Sequence, residues 1–316
     1  MKIVFMGTPE FAVPTLRTLY RSGHSILSVV TQPDRPKGRG QEQTSPPVKR
    51  FALENGLAVL QPAKVNTAEF LEKLRQQNPD VIVVVAFGQI LSRDVLAVPH
   101  FFCLNLHASL LPKYRGAAPI NWAIIEGEPE SGVTTMKMDA GMDTGDMLLV
   151  RKIPIKDSDT AQTLHDTLSV QGAALVLDTL QRLERNELSP VVQDNAQATY
   201  APKLKKEDGL IQWKKRADEI RNFARGLEPW PGAYTFYKSK RLKICALEAT
   251  SGERSDVPGT IIRLSDYGIE VGTGEGRIII TELQPEGKKR MSAMDFLHGN
   301  AMSKGDCFDL LPPVSN

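Results

Sequence analysis

The chain has 316 residues, which at roughly 100–200 residues per domain suggests two domains rather than one. With 41% apolar and 24% charged residues, 24 glycines and 21 prolines, it fits neither a disordered nor a fibrous protein. A net charge of +2 says little about partners, and three scattered cysteines (Cys103, Cys245 and Cys307) exclude a disulfide framework and leave no CxxC pair for zinc.

The opening MKIVFMGTPEF has no long apolar segment followed by a small-residue cleavage site, and no apolar run approaches the ~18 residues of a membrane span. A reduced, cytoplasmic protein without membrane attachment is expected. Residues 2–7 (KIVFMG) predict a buried strand, residues 10–21 a helix, 24–32 a second strand, and 46–56 a helix that starts at proline and stops at Gly56. AVLQP is a short third strand, and residues 67–78 form a helix capped by Thr67. Val81 to Ala86 are six consecutive aliphatic residues, apolar on both faces, which predicts a central parallel strand with helices above and below. Residues 101–109 give another strand and 118–127 another helix, so the alternation implies a doubly wound, Rossmann-like α/β sheet. Two strand-like runs around the turn-rich DAGMDTGD (139–146) then predict a hairpin at the sheet edge, followed by a long helix over 160–186.

The division expected is an α/β domain over 1–189, a polar linker over 190–209 containing Pro190 and Pro202, and a C-terminal domain over 210–316. In the last of these, a helix (216–226) precedes short strands separated by glycine turns, the pattern of a small antiparallel barrel. Basic residues are clustered. Residues 35–50 hold Arg35, Lys37, Arg39, Lys49 and Arg50 against Glu42 alone, and further clusters include Lys203, Lys205 and Lys206; Lys214, Lys215 and Arg216; and Lys288, Lys289 and Arg290. Several such clusters after residue 200 favour a polyanionic partner.

The first strand–helix turn, GTPEFAVP, has one glycine where a dinucleotide fingerprint needs three, and no GxxxxGK[ST] phosphate cradle occurs. More informative is NLHASLLPKYRGAAPINW (105–122). Asn105 and His107 are two apart at the end of a buried strand and so project from one face, beyond the carboxyl ends of the strands where open α/β sheets bind ligands. A carboxamide and an imidazole there can hydrogen-bond an oxygen that gains negative charge. Ser109 to Pro112 form a turn leading to a basic pair, Lys113 and Arg115. An acid from DAGMDTGD near His107 would orient its ring, but three aspartates are available and the sequence does not choose among them. Their spacing is not that of a calcium loop.

Four segments together are recognisable: MGTPEFAVPTL, TQPDRPKGRG (31–40), NLHASLLPKYRGAAPINWAI (105–124) and MDAGMDTGDML (138–148). With PWPGAYT (229–235) and LQPEGKKRMSA (283–293), the chain resembles, over essentially its whole length, the methionyl-tRNA formyltransferases among the 10-formyltetrahydrofolate-dependent formyltransferases. The HxSLLPxxRG core alone marks only the wider group. The basic insertion and the C-terminal domain narrow it. The resemblance implies a catalytic trio of Asn105, His107 and Asp143, and a folate site built from Ser109, Leu110, Leu111 and Pro112 with Gly88, Gln89, Ile90 and Leu91. Ala86-Phe87-Gly88 stands where the family often has Ala-Tyr-Gly, losing a hydroxyl and keeping the aromatic ring. It further implies an OB-like C-terminal domain, transfer of the formyl group of 10-formyltetrahydrofolate to the α-amine of initiator methionyl-tRNA, and no metal. Arg35, Lys37, Arg39, Lys205 and Lys206 would contact tRNA, and a monomer is expected. The alternative is a formyltransferase acting on a small-molecule amine.

Overall fold

The structure, a computed structural model, describes residues 1–37, 42–252 and 257–309. In chain order the first elements are β1 (Lys2–Gly7), α1 (Val13–Arg21), β2 (Ser25–Val30), β3 (Arg35–Lys37), β4 (Glu42–Thr44), α2 (Pro47–Glu54), β5 (Val59–Leu60), α3 (Ala68–Gln77), β6 (Val81–Val85) and α4 (Arg93–Leu96). They continue with β7 (Phe102–His107), β8 (Arg115–Gly116), α5 (Pro119–Ile125), β9 (Glu130–Lys137), β10 (Met147–Pro154), α6 (Ala161–Glu184) and β11 (Tyr200–Ala201). A seven-stranded sheet runs in the order β10-β9-β7-β6-β1-β2-β5. The five strands from β7 to β5 are parallel, whereas β9 is antiparallel to β7 and β10 to β9. The sheet is therefore Rossmann-like with the expected hairpin at its edge.

The physical reasons are local. All five β6 side chains are buried, as a strand covered on both faces requires. Side chains alternate across a strand, so Val4, Met6, Ile82, Val84 and Cys103 form one core with Phe70 and Leu74 of α3 and Val95 of α4. Leu104 and Leu106 face the other way, and Gly172 of α6 comes so close to Leu106 that an added Cβ would stand 2.6 Å from its Cδ2. Thr67 caps α3 by accepting the Phe70 N–H at 3.3 Å, and the left-handed Asn78 ends it. The single helix expected over 10–21 is split: a 3-10 turn (Glu10–Ala12) precedes α1, whose start suits Pro14, a residue tolerated only in a first helical turn.

Two compact units emerge from the contacts. One comprises Met1–Pro119, Glu130–Pro154 and His165–Ala201, the other Ile120–Pro129, Ile155–Leu164 and the chain from Pro202 onward. The second unit adds α7 (Ala217–Gly226), β12 (Tyr234–Tyr237), β13 (Lys240–Thr250), β14 (Ile261–Leu264), β15 (Ile269–Gly272), β16 (Arg277–Pro285), β17 (Met291–Ser292) and α8 (Ala293–Gly299). Its antiparallel sheet follows the path β12-β13-β16-β15-β14, with β17 on β16, and curls into an OB-like half-barrel. Inside it Trp213 stacks on Phe308 at 5.3 Å and donates Nε1–H to Thr235 Oγ1 at 3.0 Å, among Ile244, Ile261, Val271 and Ile280. Two segments from earlier in the chain are stitched into this unit. Asn121 donates to the Gly226 carbonyl at 2.8 Å, Trp122 Nε1–H to that of Pro202 at 2.9 Å, and Arg225 to those of Lys156 and Asp159.

Candidate active site

β7 sets the geometry. Asn105 pairs with Val84 of β6 and Met136 of β9, and His107 lies two residues on, on the same face of the sheet. His107 is 6% exposed. Its Nε2 stands 2.9 Å from the Tyr114 carbonyl oxygen, which can only accept, so Nε2 carries a proton and donates. That leaves Nδ1 facing Asp143 Oδ2 at 3.7 Å. The same carboxylate oxygen accepts the Gly116 N–H at 2.8 Å. Asn105 is half-buried, and among the described residues none hydrogen-bonds its carboxamide.

The loop between β9 and β10 leaves the sheet opposite Leu104, yet Asp143 ends beside the His107 ring. Its three aspartates divide the work. Asp139 accepts the Gly141 N–H and the Thr144 hydroxyl, closing the turn upon itself, and Asp146 offers its backbone carbonyl to Lys137 N–H. Only Asp143, with φ +55°, is turned to the histidine. Gly145 must be glycine, because a Cβ there would sit 1.7 Å from the Lys137 carbonyl oxygen. Among the described residues no group of three or more His, Cys, Asp or Glu is arranged to hold a metal.

Residues 191–201, within the stretch expected to be an irregular linker, pack into this site. Val191 bridges Met147, and β11 pairs with β8 in parallel. Gln193, 4% exposed, donates its amide Nε2–H to the carbonyls of Asp143 (2.8 Å) and Gly145 (2.7 Å). Its Oε1 accepts from Arg115 Nε (3.1 Å) and Nη2 (2.7 Å), and Nη2 also reaches Asn195 Oδ1 at 2.9 Å. Arg115, expected as half of a basic pair after the turn, is 2% exposed and is spent on this brace. The Thr199 hydroxyl accepts the Tyr114 N–H at 2.8 Å. Gln193 and Thr199 escape sequence reasoning because a polar stretch without apolar periodicity reads as linker, while their partners lie 48 to 85 residues away.

The other expected positions are disposed as follows. In the 109–112 turn, Ser109 Oγ–H donates to the Lys113 carbonyl at 2.6 Å and its own carbonyl accepts from Thr134, so Ser109 holds the turn; Leu111 is buried, and Leu110 and Pro112 are half-buried. After β6, Leu91 belongs to the core, while Gln89 is tied to the backbone of Val65 and Ala63. Gly88 faces open space, since a Cβ there would meet nothing within 4 Å, and Ile90 is 84% exposed. Arg35 is exposed in β3, where Lys37 also lies; Arg39 falls outside the described residues. Lys205 and Lys206 are exposed on the second unit. At the base of the β3–β4 hairpin, Lys49 and Gln61 donate to Asp34 at 2.7 and 2.8 Å and hold its carboxyl below the usual carboxylate range. Among the described residues no helix is long and apolar enough to cross a membrane.

Comparison with known proteins gives the class. The chain belongs to the formyl transferase family, whose model matches residues 1–180, and the model of the formyl transferase C-terminal domain matches residues 203–301. It is thus a one-carbon group transferase. More particularly, it is similar throughout to methionyl-tRNA formyltransferases: 56% identical over 305 residues to that of Citrifermentans bemidjiense (96% of this chain, 95% of the relative), and 53% over 305 residues to that of Geobacter metallireducens (96% and 97%). Among solved structures, the N-formyltransferase of Helicobacter canadensis, in complex with folinic acid and dTDP-3-aminofucose, shares the fold with a TM-score of 0.68 at 22% identity, over 89% of this chain and 98% of its own.

Proposed function

We propose that this enzyme formylates the α-amine of initiator methionyl-tRNA in the cytoplasm, taking the formyl group from 10-formyltetrahydrofolate. The observation that carries the assignment is the likeness to named methionyl-tRNA formyltransferases, which at 56% identity runs through both units of the chain. The sugar N-formyltransferases among similar solved structures stand at far lower identity, for example 22% and 21%.

A folate suits the residues after β6. The open space at Gly88 admits a flat ring system against backbone, and the exposed Ile90 supplies apolar surface. When bound, 10-formyltetrahydrofolate supplies a formyl carbon activated by its attachment to an arylamine nitrogen. Asn105, with no partner among the described residues, offers its N–H to the formyl oxygen, which gains charge as the amine adds. Such a donor contributes about 2.7–4 kcal/mol in comparable sites. In His107 the Nε2–H is committed to Tyr114, so Nδ1, on the side facing the Asp143 carboxylate, takes the proton released by the attacking α-amine and passes it to the folate N10 as the bond from N10 to the formyl carbon breaks. Arg35 and Lys37 in the first unit, with Lys205 and Lys206 in the second, supply charge for the tRNA phosphates.

The test is formylation of methionyl-tRNA followed by mass spectrometry. The wild-type chain is expected to add one formyl group only when 10-formyltetrahydrofolate is present, and Asn105→Ala and Asp143→Ala are each expected to lower kcat by about 10²–10³. Either variant folded and turning over at the wild-type rate would remove that residue from the mechanism.

A further inference from the structure

We propose that Gln193 is a positioning residue for the transfer step, fixing the Asp143 loop at its working distance from His107. The role presupposes the formyl transfer proposed above. Its basis is the chemistry demanded at one buried point. Two backbone carbonyls, of Asp143 and Gly145, need a donor there, and the Arg115 guanidinium needs an acceptor. A primary amide supplies both from one planar group: a carboxylate has no N–H to give, and lysine or arginine has no acceptor. Asparagine is shorter by one methylene. Gln193 therefore ties together the loop bearing the carboxylate, β8 and the segment after α6.

The same segment fixes the histidine's other partner. Thr199 holds the Tyr114 N–H through its hydroxyl and the Arg115 N–H, at 2.9 Å, through its carbonyl. Tyr114, at φ +59°, then presents its carbonyl to His107 Nε2–H. Both neighbours of the ring, Asp143 on Nδ1 and the Tyr114 carbonyl on Nε2, are thus set from residues 193–199. An error of about 1 Å in such a constellation can cost ~10²-fold in rate.

The experiment uses the full chain with methionyl-tRNA and 10-formyltetrahydrofolate. Gln193→Glu keeps the acceptor for Arg115 and deletes the donor to the loop. Its kcat is expected to fall about 10²-fold, with both KM values within twofold of wild type, in a chain that is less stable but fully folded at the assay temperature. Because Gln193 acts through Asp143, its loss should largely disappear when made in an Asp143→Asn background, whereas a general weakening of the fold would multiply the two losses. A folded Gln193→Glu variant within threefold of the wild-type kcat, or multiplicative losses in the double variant, overturns the proposal. Gln193→Met, which fills the same volume without polar atoms, carries the same expectation, and if neither variant folds Gln193 is a folding residue and the proposal fails. A wild-type chain that does not formylate methionyl-tRNA would instead defeat the functional assignment, before any variant is compared.

Discussion

Cys103 stands on β7 two residues before Asn105, on the same face, but its thiol is buried beneath α4 rather than reaching the site. Burial pushes its pKa from 9.0 up to about 12. Between those values the folded chain keeps the thiol proton and the unfolded chain has lost it. Stability should therefore fall as pH rises through this window, by up to about 1.4 kcal/mol per unit from this group. Urea unfolding of the wild type and of Cys103→Ala at pH 8 and pH 10 checks this: the variant should be less stable at pH 8 and should lose less between the two. A single strand thus carries a core thiol, a carboxamide and an imidazole in alternate positions, and this much was legible, because a period of two assigns residues to faces without any tertiary knowledge. The choice among Asp139, Asp143 and Asp146 was not legible from spacing. It depends on a left-handed residue and on hydrogen bonds to Thr144, Gly116 and Gln193, none adjacent in a pattern that the chain repeats.

At the scale of elements, the strong signals were those of length and punctuation. The all-apolar β6, the capped α3 and the long α6 appear close to their expected bounds, since each satisfies its own periodicity and caps. Removing the α3 cap by Thr67→Ala should cost about 1 kcal/mol, read as a lower urea midpoint with unchanged slope. The helix buries Phe70 and Leu74, so the remainder of its stability comes from packing that the substitution leaves in place. Short elements were the ones sequence analysis passed over. The four-residue α4, the two-residue β8, β11 and β17, and the seven-residue α8 are too brief to establish a period, though Ser292 does cap α8 at Asp295 N–H. β8 and β11 exist only because they pair with each other across 83 intervening residues, which no local propensity encodes.

For the whole molecule, two units with separate cores were foreseeable from length and from the change of rhythm near residue 190, but their composition was not. Residues 120–129 and 155–164 belong by contact to the second unit although they lie well before residue 190. The clustered lysines and arginines matter at this scale as well, because phosphate contacts release counterions and make affinity depend on salt. Replacing Lys205 and Lys206 together by alanine should weaken tRNA binding and reduce the slope of log affinity against log salt by about two, one per lysine, without altering the KM for 10-formyltetrahydrofolate. Filter binding across a salt series checks this, and an unchanged slope would remove both lysines from the interface. The pairing of β11 with β8 bears on how far the enzyme can be shortened. Cutting after Asn186 would spare Asn105, His107 and Asp143 while discarding the struts that aim two of them, whereas a fragment reaching Ala201 retains every hydrogen bond described around the imidazole. An engineer transplanting the proposed Asn105–His107–Asp143 site to another scaffold would have to move fifteen apparently featureless residues along with it.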